Sequence, residues 1–154
     1  NGARWRERGH FHVTLGFFGE VSEIVAEELD AEIGKIAAPQ FDMEIEGVGW
    51  FGRKEPSLVF ATVKRSAPLD ALARDCRKAA ERIGVKPDPK PFKPHVTLAY
   101  LNGTMLEDAM AWSERWQVLR AGPWTADRFH LYESIAREGK KSVYEPVADY
   151  PLGL

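Results

Sequence analysis

Phe11-His12-Val13-Thr14-Leu15-Gly16-Phe17-Phe18 and Pro94-His95-Val96-Thr97-Leu98-Ala99-Tyr100-Leu101 align residue for residue around a shared His-Val-Thr-Leu. Both stretches are rich in β-branched and aromatic residues, the composition of strands. Successive side chains of a strand point to opposite faces, so His and Thr of each word share one face and Val and Leu the other. Val13, Leu15, Val96 and Leu98 are expected to bury against helices, with His12, Thr14, His95 and Thr97 lining the opposite face. Two such strands, one from each half of the chain, predict a cleft holding two imidazoles and two hydroxyls.

That set suits displacement at phosphorus, which needs a base for the nucleophile and an acid for the leaving oxygen. Imidazole titrates near pH ~6.5, so one ring of a pair can be neutral while the other is charged. Threonine hydroxyls can hydrogen-bond the non-bridging oxygens. Thr14 and Thr97 also suit strands as such, but their fixed offset from the histidines favours phosphate contact.

Working outward, Trp5 lies in a short strand-like stretch ending at Arg8-Gly9, and a strand is expected from His10 to Phe18. Ser22 reads as the N-cap of a helix with Ile24, Val25, Leu29, Ile33 and Ile36 on one face, ending near Ala38-Pro39. Phe41 to Glu46 and Leu58 to Val63 read as strands. A second helix opens at Ser66 and Pro68 and closes at Gly84. Pro87, Pro89, Pro91 and Pro94 then make a stiff loop delivering the chain to the strand His95–Leu101. A third helix is expected from Leu106 to Gln117, with Met110 and Trp116 inward, followed by strands Phe129–Ser134 and Val143–Tyr150 about the turn Arg137–Lys141. Trp5, Phe17, Trp50, Trp112, Trp116 and Trp124 read as core or interface aromatics.

The predicted fold is α+β, a single domain over residues 1–154 with two pseudo-symmetric lobes. Each lobe would be a mainly antiparallel sheet backed by helices, with the two His-x-Thr motifs in a central cleft. The 154 residues, 44% hydrophobic and 29% charged, can bury a core without metal or disulfide staples. The net charge of −2 lacks the basic excess of proteins that coat long nucleic acid, so any RNA contact is expected at a terminus or a few nucleotides. Cys76 is the only cysteine, which predicts a buried thiol in a reducing, cytoplasmic compartment. No membrane span or signal peptide is read, and a monomer is expected.

The paired motifs resemble the two-histidine phosphoesterases, and most closely the RNA 2',3'-cyclic phosphodiesterases, also called 2'-5' RNA ligases. The flanks agree: Arg4-Trp5, Phe17-Phe18-Gly19-Glu20-Val21, Pro91-Phe92-Lys93-Pro94, Leu131-Tyr132-Glu133-Ser134, Tyr144-Glu145-Pro146-Val147 and Tyr150-Pro151-Leu152. The resemblance implies a cofactor-free, metal-independent enzyme acting on RNA ends or short oligonucleotides with a cyclic phosphate. His12 and His95 would be catalytic and Thr14 and Thr97 phosphate-binding. By the same resemblance His95 would activate water and His12 protonate the 3' oxygen, leaving a 2'-phosphate.

Tyr100, Lys93 and Arg137 are candidate substrate contacts, Tyr100 being open between packing and base stacking. The family often carries arginine where Tyr100 stands, and usually has a further strand and helix before the Arg-Trp segment. Other readings stay open: a different cyclic nucleotide or 2'-5' linkage, ligation, a non-catalytic RNA-end module, or a zinc hydrolase using some of His10, His12, His95 and His130. Against zinc, Lys93 stands where a counterpart of His10 would be.

Overall fold

Helix α1 (Glu23–Ile33) starts where the Ser22 side chain accepts a hydrogen bond from the Val25 amide at 3.3 Å, satisfying a donor that helix geometry leaves over. Its buried stripe begins only at Leu29 and Ile33, and Ile24, expected inward, is 71% exposed. Helix α2 (Ala67–Arg82) buries Leu69, Leu72, Ala73, Cys76, Ala79 and Ala80, one apolar face at helical spacing. Arg82 ties it to Glu32 of α1 at 2.9 Å. Hydrogen bonds from Lys35 and then Arg82 hold the Glu32 carboxyl below its ordinary pKa.

In this computed structural model residues 2–137 and 140–153 are described, with side chains outside 136–142. The strands are β1 (Ala3–Trp5), β2 (Phe41–Gly52), β3 (Pro56–Val63), β4 (His95–Leu101), β5 (Arg120–Ala126), β6 (Arg128–Arg137) and β7 (Lys140–Pro151). They form a five-stranded sheet, ordered β1-β4-β3-β2-β5, and the hairpin β6-β7. Helix α3 is Leu106–Arg115. Strand β5 escapes sequence reading because Gly122-Pro123 interrupts it; proline is tolerated where the strand lies, at a sheet edge.

The chain forms two compact units that interleave along the sequence. The first comprises Asn1–Leu15, Asp42–Ser66 and Pro91–Trp124, the second Gly16–Phe41, Ala67–Lys90 and Thr125–Leu154. In the first, Val48, Val59, Phe60, Ala61, Val63, Val96, Ala99 and Ala109 are buried. In the second, α1 and α2 lie with the β6-β7 hairpin; Phe129 and Tyr150 stack at 5.0 Å and the Tyr150 hydroxyl donates to Asp30 at 2.7 Å. Both sequence words lie in the first unit, not one in each, because the sheet gathers strands far apart in the chain.

Several aromatic expectations fail. Trp5, Phe17, Trp116 and Trp124 are exposed, as is Met110, leaving Ala109 as the buried residue of α3. Trp50 and Trp112 are half-buried.

Candidate active site

Strand β4 forms as read, but the first word does not make a strand. A 3-10 turn at Arg8–His10 intervenes, and pairing returns only at a single antiparallel bridge, Val13 to Val96. β1 and Val13 thus use the same edge of β4. Ala3, Arg4 and Trp5 lie opposite Leu101, Tyr100 and Ala99, the Arg6 amide donates to the Leu98 carbonyl at 2.8 Å, and residues 7–12 then loop out before the bridge. The Glu7-Arg8-Gly9-His10 segment breaks the ladder because the His10 amide bonds back to the Glu7 carbonyl at 2.9 Å instead of across to β4.

The bridge sets the geometry that matters. With Val13 opposite Val96, antiparallel pairing puts His12 level with Thr97 and Thr14 level with His95. All four then project from the face opposite the buried Val96, with His12 and His95 on a diagonal. Diagonal neighbours in an ideal ladder are separated by ~7–8 Å, room for a phosphate between two rings. His12 and Thr14 are exposed, His95 and Thr97 half-buried.

Both imidazoles are anchored the same way. His12 Nδ1 donates to the His10 carbonyl at 2.8 Å, and His95 Nδ1 donates to the Lys93 carbonyl at 2.6 Å. A carbonyl can only accept, so in each ring Nδ1 carries the hydrogen of this contact. In both words the anchor is the residue two before the histidine. His10 thus enters the site through its backbone.

His95 is further held by rings that sequence reading does not connect to it. Phe51 meets it edge-on at 5.0 Å and Phe60 tilted at 5.2 Å, with Lys93 Nζ over Phe51 at 5.0 Å and over Phe60 at 5.7 Å. Phe60 crosses Gly49 on β2, where a Cβ would come within 2.5 Å of the ring. Arg65 fixes the approach to β4, its Nη1 donating to the Phe92 carbonyl at 2.9 Å while the Val63 amide donates to the Pro94 carbonyl at 3.2 Å.

Strict alternation would put Tyr100, five residues after His95, on the opposite face of β4, but a β-bulge brings it round. Phe60 pairs with Thr97 but the adjacent Val59 pairs with Ala99, so Leu98 is the extra residue. Tyr100, opposite Leu58, therefore shares the face of Phe60, Thr97 and His95. The guanidinium groups of Arg4 and Arg6 lie over its ring at 5.8 and 5.6 Å. Lys93 sits at the His95 shelf, whereas the side chains of Arg137, Lys140 and Lys141 lie outside the described residues. His130 does not join the motif histidines; its Nδ1 pairs with Asp149 across the β6-β7 hairpin. Among the described residues no three His, Cys, Asp or Glu side chains converge as a metal-ligand set, and no helix is long and apolar enough to cross a membrane.

Residues 1–138 match the 2'-5' RNA ligase superfamily. The chain is 36% identical over 99 residues to the RNA 2',3'-cyclic phosphodiesterase of Aeropyrum pernix, covering 63% of this chain and 56% of that protein. It is 28% identical over 162 residues to the protein of that name from Geobacillus stearothermophilus, covering 96% of this chain and 47% of the other. The chain thus spans about half the length of these curated relatives. Among solved structures, Escherichia coli LigT complexed with 3'-AMP superposes with a TM-score of 0.76 at 25% identity, over 98% of this chain and 82% of that one.

Proposed function

Because the chain belongs to the 2'-5' RNA ligase superfamily, we propose that it hydrolyses the 2',3'-cyclic phosphate at an RNA end, with His12 and His95 as its acid–base pair. The observation that carries this reading is the matched anchoring of the two rings, each Nδ1 on the carbonyl two residues back, on a face shared with Thr14 and Thr97.

In the reaction, His95 Nε2 takes a proton from water as the water oxygen bonds to phosphorus. The bond from phosphorus to the 3' oxygen breaks, and protonated His12 Nε2 donates its proton to that oxygen. The products are a 2'-phosphomonoester and a 3'-hydroxyl. Thr14 and Thr97 donate to the non-bridging oxygens, where negative charge accumulates. The assignment of base and acid follows the family resemblance; on a substrate with a far better leaving group at the 3' position, His12→Ala should regain much of its rate while His95→Ala stays impaired.

The test is incubation with a short RNA ending in 2',3'-cyclic phosphate, followed by identification of the monoester formed. A 2'-phosphate fits this reading, a 3'-phosphate reverses the substrate's orientation, and an intact cyclic phosphate rejects the activity. Exhaustive chelation should leave turnover unchanged. Loss restored by zinc would place the histidines in a metal site instead.

A further inference from the structure

We propose that Arg4, Arg6 and Tyr100 form a subsite for the phosphodiester preceding the terminal nucleotide, so that the site favours an oligonucleotide end over a mononucleotide. The inference rests on the reading of His12 and His95 given above and adds a second anionic group to the substrate. Three observations converge. The bulge at Leu98 turns Tyr100 onto the face that carries Thr97 and His95. Arg4, paired with Tyr100, and Arg6, two residues on, share that face, and both guanidinium groups lie over the one ring. Measured along β3, Phe60 faces Thr97 and Leu58 faces Tyr100, an offset of two residues or ~7 Å.

That offset is too long for one phosphate group to touch both places and matches one nucleotide's length of backbone. A cyclic-phosphate terminus has chain on its 5' side only, so the next anion can only be the preceding phosphodiester. The Tyr100 ring attracts cations through its quadrupole but carries no full negative charge. Each guanidinium presents several N–H donors in a fixed fork, and two of them over one ring put donors and positive charge where a phosphate oxygen can accept. Tyr100 in this account positions the arginines, in addition to whatever packing it provides.

The test is calorimetric binding of two product-like ligands, a mononucleotide 2'-phosphate and a dinucleotide ending in 2'-phosphate. The dinucleotide should bind at least about tenfold more tightly, with a log–log salt slope steeper by about 0.7, the value for one extra single-strand phosphate contact. Arg4→Gln with Arg6→Gln should erase both differences, while Arg4→Lys with Arg6→Lys retains much of the slope because the charge stays. If the double glutamine variant does not fold, each single variant should show a reduced difference. Equal binding of the two ligands by the native protein, or a difference that survives the glutamine changes, overturns the subsite. Turnover of a cyclic phosphate without any binding difference would spare the activity and reject the subsite. A binding difference without turnover would do the reverse.

Discussion

His12 and His95 are held alike at Nδ1, so the loss of either ring removes one of the two proton transfers. His12→Ala and His95→Ala are each expected to lower kcat by ~10²–10⁴, with the melting temperature little changed because neither side chain belongs to the buried core. Near-native turnover in either variant would take that histidine out of the mechanism. Gly49 acts at one remove. A Cβ there would meet the edge of the Phe60 ring at 2.5 Å, and Phe60 is only 3% exposed, so the ring has little freedom to swing aside. Gly49→Ala should cost ~1–3 kcal/mol of stability, the usual range for overpacking, and lower kcat by tilting the ring that supports His95. Adding Phe60→Leu should recover stability in thermal melts but not kcat, since the support stays lost. Recovery of both would show that Phe60 only packs.

At the scale of elements, β4 is reached through a proline-rich loop that the chain has to hold still. Arg65 does so from just past the end of β3, bonding the Phe92 carbonyl with its guanidinium over the Phe92 ring at 5.8 Å. Arg65→Ala should therefore reduce kcat while leaving the unfolding free energy within ~1 kcal/mol of native, a hydrogen bond's net worth. Hydrogen exchange in β4 separates this from a direct phosphate contact. Faster exchange at the start of β4 supports a positioning role; unchanged exchange with a raised KM would assign Arg65 to substrate. The word beginning at His12 shows the limit of periodicity. Its alternation is that of a strand, yet one bridge forms, because pairing depends on where the preceding turn leaves the backbone relative to β4.

At the scale of the whole molecule, stability should carry the signature of the second unit's interior. Burial, and then the charge of Asp75, push the Cys76 thiol from its ordinary 9.0 up to about 12. The Tyr150 hydroxyl is also pushed up, first by desolvation and then by its hydrogen bond to Asp30. Below pH ~9 the Cys76 thiol is neutral folded and unfolded alike, and the stability it contributes is fully present. Between about 9 and 12 the unfolded chain ionises while the folded one does not, so stability falls as pH rises, by up to ~1.4 kcal/mol per pH unit from this group. Denaturant titrations from pH 8.5 to 10.5 should show a shallower decline for Cys76→Ala, and native Cys76 should resist thiol reagents at neutral pH. Equal slopes for the two proteins would mean that the thiol ionises freely when folded.

The sequence by itself determined the two words, the faces of their side chains and most of the helices, because alternation and helical spacing are local properties of the chain. It also carried the family resemblance, through motif residues that lie close together in sequence. Tertiary structure alone decided that Phe51 and Phe60 support His95, that both words belong to one unit, and that Leu98 bulges to turn Tyr100 toward Arg4 and Arg6. Each of these depends on which strand pairs with which and in what register. A one-residue shift in register sends a side chain to the opposite face, and that shift is fixed by partners dozens of residues away.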